Sequence, residues 1–191
     1  MKIDKILILG SSSLTELCVD KIKDHYNLVG FVPTVNPIIS GNIDLPRVEL
    51  NEPCDIKLSI QYDKIIKDTT NSYNLHTGLL PQYGGTNVLD HAIKNKSFEQ
   101  GLTFHKVTET LDYGPIISKT TYPILSGEKA VNLYRKLLLV GPSFLYSSLN
   151  LLKSMTVEEV ERCHREKPTI YRRGEFELSS EIEEYNYREC A

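Results

Sequence analysis

The 191-residue sequence has no paired-cysteine framework, no basic excess and no long apolar run. Its four cysteines, Cys18, Cys54, Cys163 and Cys190, are scattered without a C-x-x-C pair. That is too sparse for a disulfide scaffold, and nothing in the spacing suggests a zinc site, so they read as reduced thiols and no metal is expected. Lysine and arginine total 22 against 25 acidic residues, a net charge of −3, which argues against a polybasic nucleic-acid module. No run approaches the roughly 18 apolar residues that a membrane span needs. The N-terminus, MKIDKILILG, has one short apolar stretch and no small-residue cleavage site, so a cytoplasmic protein is expected. Internal repeats and low-complexity tracts are also missing. What remains is ordinary for a globular chain: 40% hydrophobic and 25% charged residues, at a length suited to one domain with its own core.

The order of patterns predicts an α/β domain. Ile3 to Leu9 is a nearly continuous apolar run, as in a strand buried on both faces of a parallel sheet. Gly10-Ser11-Ser12-Ser13 follows, then a stretch from Leu14 to Asp24 with Leu14, Leu17, Cys18 and Ile22 at helical spacing. Asn27 to Pro33 is a second strand, which completes a βαβ unit. Asp55 to Ile60 and a segment from Tyr73 are further strands. Asn87 to Lys94 is a helix with Thr86 as N-cap. Gly101 to Val107 alternates apolar and polar residues like a half-exposed strand, and Pro115 to Pro123 is its hairpin partner. Glu128 to Val140 and Pro142 to Lys153 read as helices punctuated at Gly141-Pro142. Thr156 to Glu166 reads as a short helix with a Thr156/Glu159 capping box. The expected architecture is a Rossmann-like, open, mostly parallel sheet with an antiparallel hairpin late in the chain. Its expected division is a catalytic domain over 1–153 and a short C-terminal extension over 154–191.

The chemistry-bearing residues concentrate between Asn74 and Pro115. Asn74 and His76 lie two apart at a strand end, so their side chains share one face. Ligands in open α/β sheets bind at the carboxyl ends of strands. An amide can donate to a developing oxyanion, and an imidazole can move a proton or stabilise charge near neutral pH. Gly78-Leu79-Leu80-Pro81 and Gln82-Tyr83-Gly84-Gly85 follow, turns that let backbone approach a ligand. Asp112, in the Leu111-Asp112-Tyr113-Gly114-Pro115 turn, can orient a histidine and hold its charged form. His91 and His105 read as a helix-face and a strand residue, with His105 on the strand that leads to Asp112.

N-L-H-T-G-L-L-P-Q-Y-G-G followed by L-D-Y-G-P-I-I resembles the folate-dependent formyltransferase family, whose pattern is N-x-H-P-S-L-L-P-x-Y-x-G and then L-D-x-G. The resemblance covers roughly residues 2–153. It implies an N-formyltransferase that moves a formyl group from 10-formyltetrahydrofolate to a primary amine without a metal. It makes Asn74, His76 and Asp112 the catalytic residues. It places the folate against Tyr62, Lys64, Ile65 and Ile66 on one wall and Thr108, Leu111 and Tyr113 on the other. Thr77-Gly78 and Gly84 depart from the family pattern, which bears on how the acceptor is held by Tyr83 and Gly85. Ser11 and Ser12 read either as a phosphate loop or as a helix N-cap. Tyr171, Arg172 and Arg173, in P-T-I-Y-R-R-G, read either as a phosphate- and base-binding patch or as a surface basic pair. The short remainder after Lys153 is expected to exclude a tRNA-binding barrel. The implied acceptor is an amino-sugar nucleotide, with the purine precursor glycinamide ribonucleotide as the alternative. Further from the pattern are a 10-formyltetrahydrofolate hydrolase and a non-catalytic folate binder. No nucleic acid or membrane partner is expected, and the helices from Glu128 to Lys153 offer a surface for a homodimer.

Overall fold

The computed structural model describes residues 1–37 and 40–172 of the chain. Six strands make one sheet: β1 (Lys5–Leu9), β2 (Asn27–Val32), β3 (Ile56–Ile60), β4 (Ser72–His76), β6 (Glu99–Lys106) and β7 (Ile116–Pro123). Their spatial order is β2-β1-β3-β4-β6-β7. The first four pair in parallel; β6 runs antiparallel to β4, and β7 antiparallel to β6. This is the expected mostly parallel sheet with a late hairpin. The chain leaves β1 to one side for β2 and returns to the other for β3, which creates a switch point where such sheets bind ligands.

Two helices cover one face. In α1 (Ser13–Ile22), Leu14, Cys18 and Ile22 are fully buried, whereas Leu17, placed on the same stripe by its spacing, is 41% exposed. The other is α3 (Ala130–Ser154). Both share a core with Ile6, Ile8, Tyr73, Leu75, Leu102 and Phe104. Alternation turns Leu7 and Leu9 to the opposite face, where they meet Ile66 and loop residues such as Val48 and Leu50. No helix in that cluster covers this second face.

Three expectations change. The two helices predicted around Gly141-Pro142 are one helix of 25 residues with Pro142 inside it. A helix tolerates this proline partly because the preceding residue, Gly141, has no Cβ to clash with the pyrrolidine ring. Gly141 also faces α1: a Cβ there would stand 2.8 Å from Leu14 Cδ1. The helix α2 (Val88–Lys94) is preceded by Asn87 rather than Thr86. Asn87 adopts the left-handed conformation (φ 54°) and its side chain makes no cap hydrogen bond. Finally, three polar residues inside β6 do not face water: Gln100, Thr103 and His105 are 0%, 0% and 2% exposed.

The helix α4 (Val157–Arg162) is capped as expected, with Thr156 and Glu159 exchanging hydrogen bonds, and Val160 reaches the main core. Beyond it, β8 (Ile170–Tyr171) pairs in parallel with β5 (Gly84–Gly85) to form a second, two-stranded sheet. Among the described residues, no helix is long and apolar enough to cross a membrane.

Candidate functional site

The C-terminal half of β4 supplies the first two groups. Tyr73 and Leu75 point into the main core, where Tyr73 stacks on Phe104 of β6 with ring centroids 5.8 Å apart. That packing fixes the register and turns Asn74 and His76 to the other face. There they stand opposite His105 and Thr103 of β6.

The loop after His76 is held by side chains of β6. Leu79 N donates to Gln100 Oε1 at 2.8 Å, and Gln100 Nε2 donates onward to the Val88 carbonyl at 3.1 Å. Leu80 N donates to Thr103 Oγ1, and that hydroxyl donates to the Gly78 carbonyl at 2.8 Å. Buried polar groups on β6 therefore satisfy the main chain of the loop that crosses them. The Leu80–Pro81 peptide is cis.

Asp112 reaches the same place from the turn after β6. It is buried and has positive φ (51°), a conformation that aspartate tolerates better than most residues. Gly114 closes the turn; a Cβ there would lie 1.6 Å from the Lys106 carbonyl oxygen, so no larger residue fits. Asp112 Oδ2 accepts the Gly85 amide at 2.7 Å and lies 3.8 Å from His76 Nδ1, while Oδ1 lies 3.6 Å from His105 Nε2. His76 Nε2 donates to the Tyr83 carbonyl at 2.6 Å. In its imidazolium form the His76 ring thus has an acceptor or a carboxylate facing each nitrogen. Asn74 Nδ2 is 3.2 Å from His105 Nε2. Asn74, His76 and Asp112 converge with His105 into one polar cluster, in which Asn74 is half-buried and the other three are buried. Such a cluster can offer an amide donor, a cationic imidazole and a carboxylate to a carbonyl under attack.

The β5–β8 sheet closes this cluster from behind. Gly84 N donates to the Thr169 carbonyl, Thr86 N to that of Tyr171, and Thr169 N to that of Pro81. The Tyr171 ring stacks on Tyr83 at 5.7 Å and lies 3.9 Å from the His91 ring. The Tyr83 hydroxyl bonds the Ser97 hydroxyl. Tyr83, Gly85 and Tyr171, expected as acceptor contacts, thus come together beside Asp112. Arg172 follows at the surface, and Arg173 lies outside the described residues.

The expected folate residues occupy two loops. Tyr62 packs with Ile66 in the small cluster that also receives Val107. Ile65 and Leu111 are apolar yet 87% and 56% exposed, and Lys64 is exposed. Thr108 Oγ1 donates to the Thr110 carbonyl, and Thr108 and Tyr113 line a polar cavity of about 520 Å³ with Thr69, Lys106 and Arg165. A second cavity, of about 640 Å³, lies on the far side of Tyr83, between Leu79, Phe98 and Tyr122. The converging groups lie in neither.

Ser11 and Ser12 have structural partners. Ser11 Oγ accepts the Thr34 amide, and Ser12 caps α1 through a reciprocal pair of bonds with Thr15. Both residues are buried, so the hydroxyls placed at a phosphate loop are taken up by the N-cap arrangement and its neighbouring loop. Among the described residues, no group of three or more His, Cys, Asp or Glu is arranged to hold a metal.

Gln100, Thr103 and the β8 strand were not singled out by the sequence, and His105 was placed only as a strand residue leading to Asp112. The polar half of the β6 alternation was the available signal, but alternation alone does not say whether a polar face meets water or a buried loop.

Residues 60–149 match the formyl transferase family model. A methionyl-tRNA formyltransferase of Thermosipho africanus is 31% identical over 136 residues, covering 69% of this chain and 43% of that protein. The chain spans about half the length of the curated relatives it matches. Among solved structures, the sugar 3N-formyltransferase WlaRD, determined with dTDP and 5-N-formyl-THF, superposes with a TM-score of 0.78 at 22% identity, covering 93% of this chain and 73% of that one. Glycinamide ribonucleotide transformylase 1 of Symbiobacterium toebii superposes with a TM-score of 0.65 at 17% identity, covering 79% and 88%.

Proposed function

The chain belongs to the formyl transferase family through residues 60–149, and from that premise we propose that it transfers a formyl group from 10-formyltetrahydrofolate to a primary amine. The convergence of the half-buried Asn74 with the buried His76 and Asp112 carries this reading. The amine nitrogen attacks the formyl carbon, and the carbonyl oxygen gains negative charge. Asn74 donates a hydrogen bond to that oxygen, and the His76 imidazolium lies beside it. Asp112 orients His76 and helps a water take the proton that the amine loses. The formyl group leaves its folate nitrogen for the amine, so no metal is required by the chemistry.

The residues on the two expected folate loops suit a flat aromatic co-substrate. Ile65 and Leu111 leave apolar surface in water that a pterin ring would cover, and Tyr62, Ile66 and Val107 share one small apolar cluster. Tyr62, Lys64, Ile65 and Ile66 form one wall of this proposed slot, and Thr108, Leu111 and Tyr113 the other.

For the acceptor we favour an amino sugar linked to a nucleotide. The likeness to the sugar enzyme's fold extends over 93% of the chain, further than the likeness to the ribonucleotide enzyme. The Tyr171–Arg172 segment lies next to Gly85 and Asp112, where the exposed Arg172 guanidinium suits a phosphate. The test is to incubate the purified protein with 10-formyltetrahydrofolate and, separately, dTDP-amino sugars, glycinamide ribonucleotide and methionyl-tRNA, and follow formylation by mass spectrometry. Formylation of an amino-sugar nucleotide is the expected result. Turnover of the ribonucleotide or the tRNA alone would overturn this acceptor, and formate release without any amine would mark a hydrolase.

A further inference from the structure

His105 belongs to the cluster but to none of the roles above. It stands opposite Asn74 in the antiparallel register of β4 and β6 and is 2% exposed. Its Nδ1 is 3.0 Å from the Lys106 carbonyl oxygen. A carbonyl can only accept, so Nδ1 carries a hydrogen. Burial pushes the His105 pKa well below that of a free histidine; the neighbouring His76 adds to the shift, and Asp112 and the Lys106 carbonyl oppose it without reversing it. The ring is therefore neutral, with a bare lone pair at Nε2. That lone pair faces Asn74 Nδ2 at 3.2 Å. Asp112 Oδ1, at 3.6 Å, is beyond hydrogen-bond length and is itself an acceptor.

A carboxamide has two faces of opposite polarity. If Asn74 turned its oxygen toward His105, two lone pairs would meet in a buried, low-dielectric site. The opposite orientation makes a hydrogen bond and leaves the second Nδ2 hydrogen free. We propose that His105 is a positioning residue: its neutral Nε2 locks the Asn74 side chain with the NH₂ group inward, so that the remaining N–H is the one offered to the carbonyl oxygen of the formyl donor. The last clause rests on the formyl-transfer reading; the locked orientation does not. The chain gains an oxyanion donor that needs no reorientation during reaction, which is where such donors owe their strength.

The experiment has two independent readouts. In protein labelled with ¹⁵N-histidine, His105 should show a protonated Nδ1 and an unprotonated Nε2 at neutral pH. An Nε2–H tautomer or an imidazolium there overturns the proposal. In kinetics, His105→Phe keeps a ring of similar volume and removes the lone pair. It should lower kcat by about 10–100-fold with KM for both substrates unchanged, as loss of alignment does. His105→Gln, whose side-chain oxygen can accept from Asn74, should restore most of the rate. An unchanged kcat in the Phe variant, or a change confined to KM, overturns the proposal, and so does a Gln variant as slow as a folded Phe variant. If the wild-type protein formylates no amine, the functional reading fails, and the tautomer still decides the positioning claim.

Discussion

Replacing Tyr171 with alanine should loosen the Gly84–Thr86 turn while leaving the main sheet intact. The Tyr171 ring lies against Tyr83 and His91, at centroid distances of 5.7 and 3.9 Å, and its hydroxyl accepts from Asn95 Nδ2 at 2.9 Å. Aromatic pairs contribute about 0.5–1.5 kcal/mol each and a hydrogen bond about 1 kcal/mol. The total is roughly 2–4 kcal/mol. Almost none of it belongs to the main core, because β5 and β8 form their own sheet and Tyr171 packs with the small cluster around Leu79, Tyr83 and Ala92. Two to four kcal/mol makes separation of β8 from β5 roughly 30–700-fold more frequent, at about 1.4 kcal/mol per decade. Native-state hydrogen exchange reads this directly. The Gly84 and Thr86 amides, which donate to Thr169 and Tyr171, should exchange faster by that factor. The Gly85 amide, which donates to Asp112, should follow, and kcat should fall with it. Amides of Leu7 and Ile8 in β1 should not change. Tyr171→Phe, which keeps the rings and loses one hydrogen bond, should show about a fifth of the Ala acceleration or less. Unchanged exchange at Gly84 and Thr86, or equal acceleration in β1, would refute the view of β8 as a local clasp.

Asp112→Asn keeps an acceptor for the Gly85 amide but removes the charge facing His76. Formyl transfer should fall by about 100-fold or more, and a full kcat would remove Asp112 from the mechanism. Gly141→Ala places a methyl 2.8 Å from Leu14 Cδ1 and adds a Cβ before Pro142; a loss of about 1–3 kcal/mol is expected in urea unfolding, and an unchanged midpoint would show that α1 and α3 have slack. Acid should destabilise the fold through His105. Its pKa is depressed in the folded chain, so below the free value of 6.5 the unfolded chain binds the proton first and stability drops as pH falls. The slope is at most about 1.4 kcal/mol per pH unit for one proton. Urea midpoints of wild type and His105→Gln between about pH 5 and 7 compare the slopes; equal slopes would mean that His105 is not held neutral.

The sequence was legible where one local rule decides. The apolar runs Ile3 to Leu9 and Asn27 to Pro33 read as strands and form β1 and β2, and the Thr156/Glu159 box caps α4 as read. It misled where tertiary contact overrides the local rule. Pro142 reads as a break, yet the helix continues because Gly141 relieves the pre-proline clash and α1 packs against it. Ser11 and Ser12 fit a phosphate loop or an N-cap equally well in one dimension; in three, Ser12 is the N-cap of α1 and Ser11 accepts the Thr34 amide. At the site, the types and spacing of Asn74, His76 and Asp112 were readable because their chemistry is written in side chains. His105 was not, because its role depends on a cross-strand neighbour set by register. Nor was β8, whose two residues owe their pairing to backbone groups at Gly84–Thr86 that carry no sequence signal.

The placement of the cluster follows from how the two sheet faces are covered. α1 and α3 take the face of Tyr73, Leu75, Leu102 and Phe104 and can bury apolar side chains against it, because their own main-chain bonds are satisfied internally. The opposite face of β4 and β6 is covered by loop, whose main chain arrives with unsatisfied N–H and C=O groups. An apolar strand face there would leave those groups buried without partners. Thr103 and Asp112 supply the acceptors that the Leu80 and Gly85 amides need. A loop-covered face must therefore be polar to be stable, and a polar, water-poor face at the end of a parallel strand is also where an oxyanion donor is strongest. The same requirement for buried hydrogen bonds thus holds the loop in place and creates the setting in which Asn74, His76 and Asp112 can act.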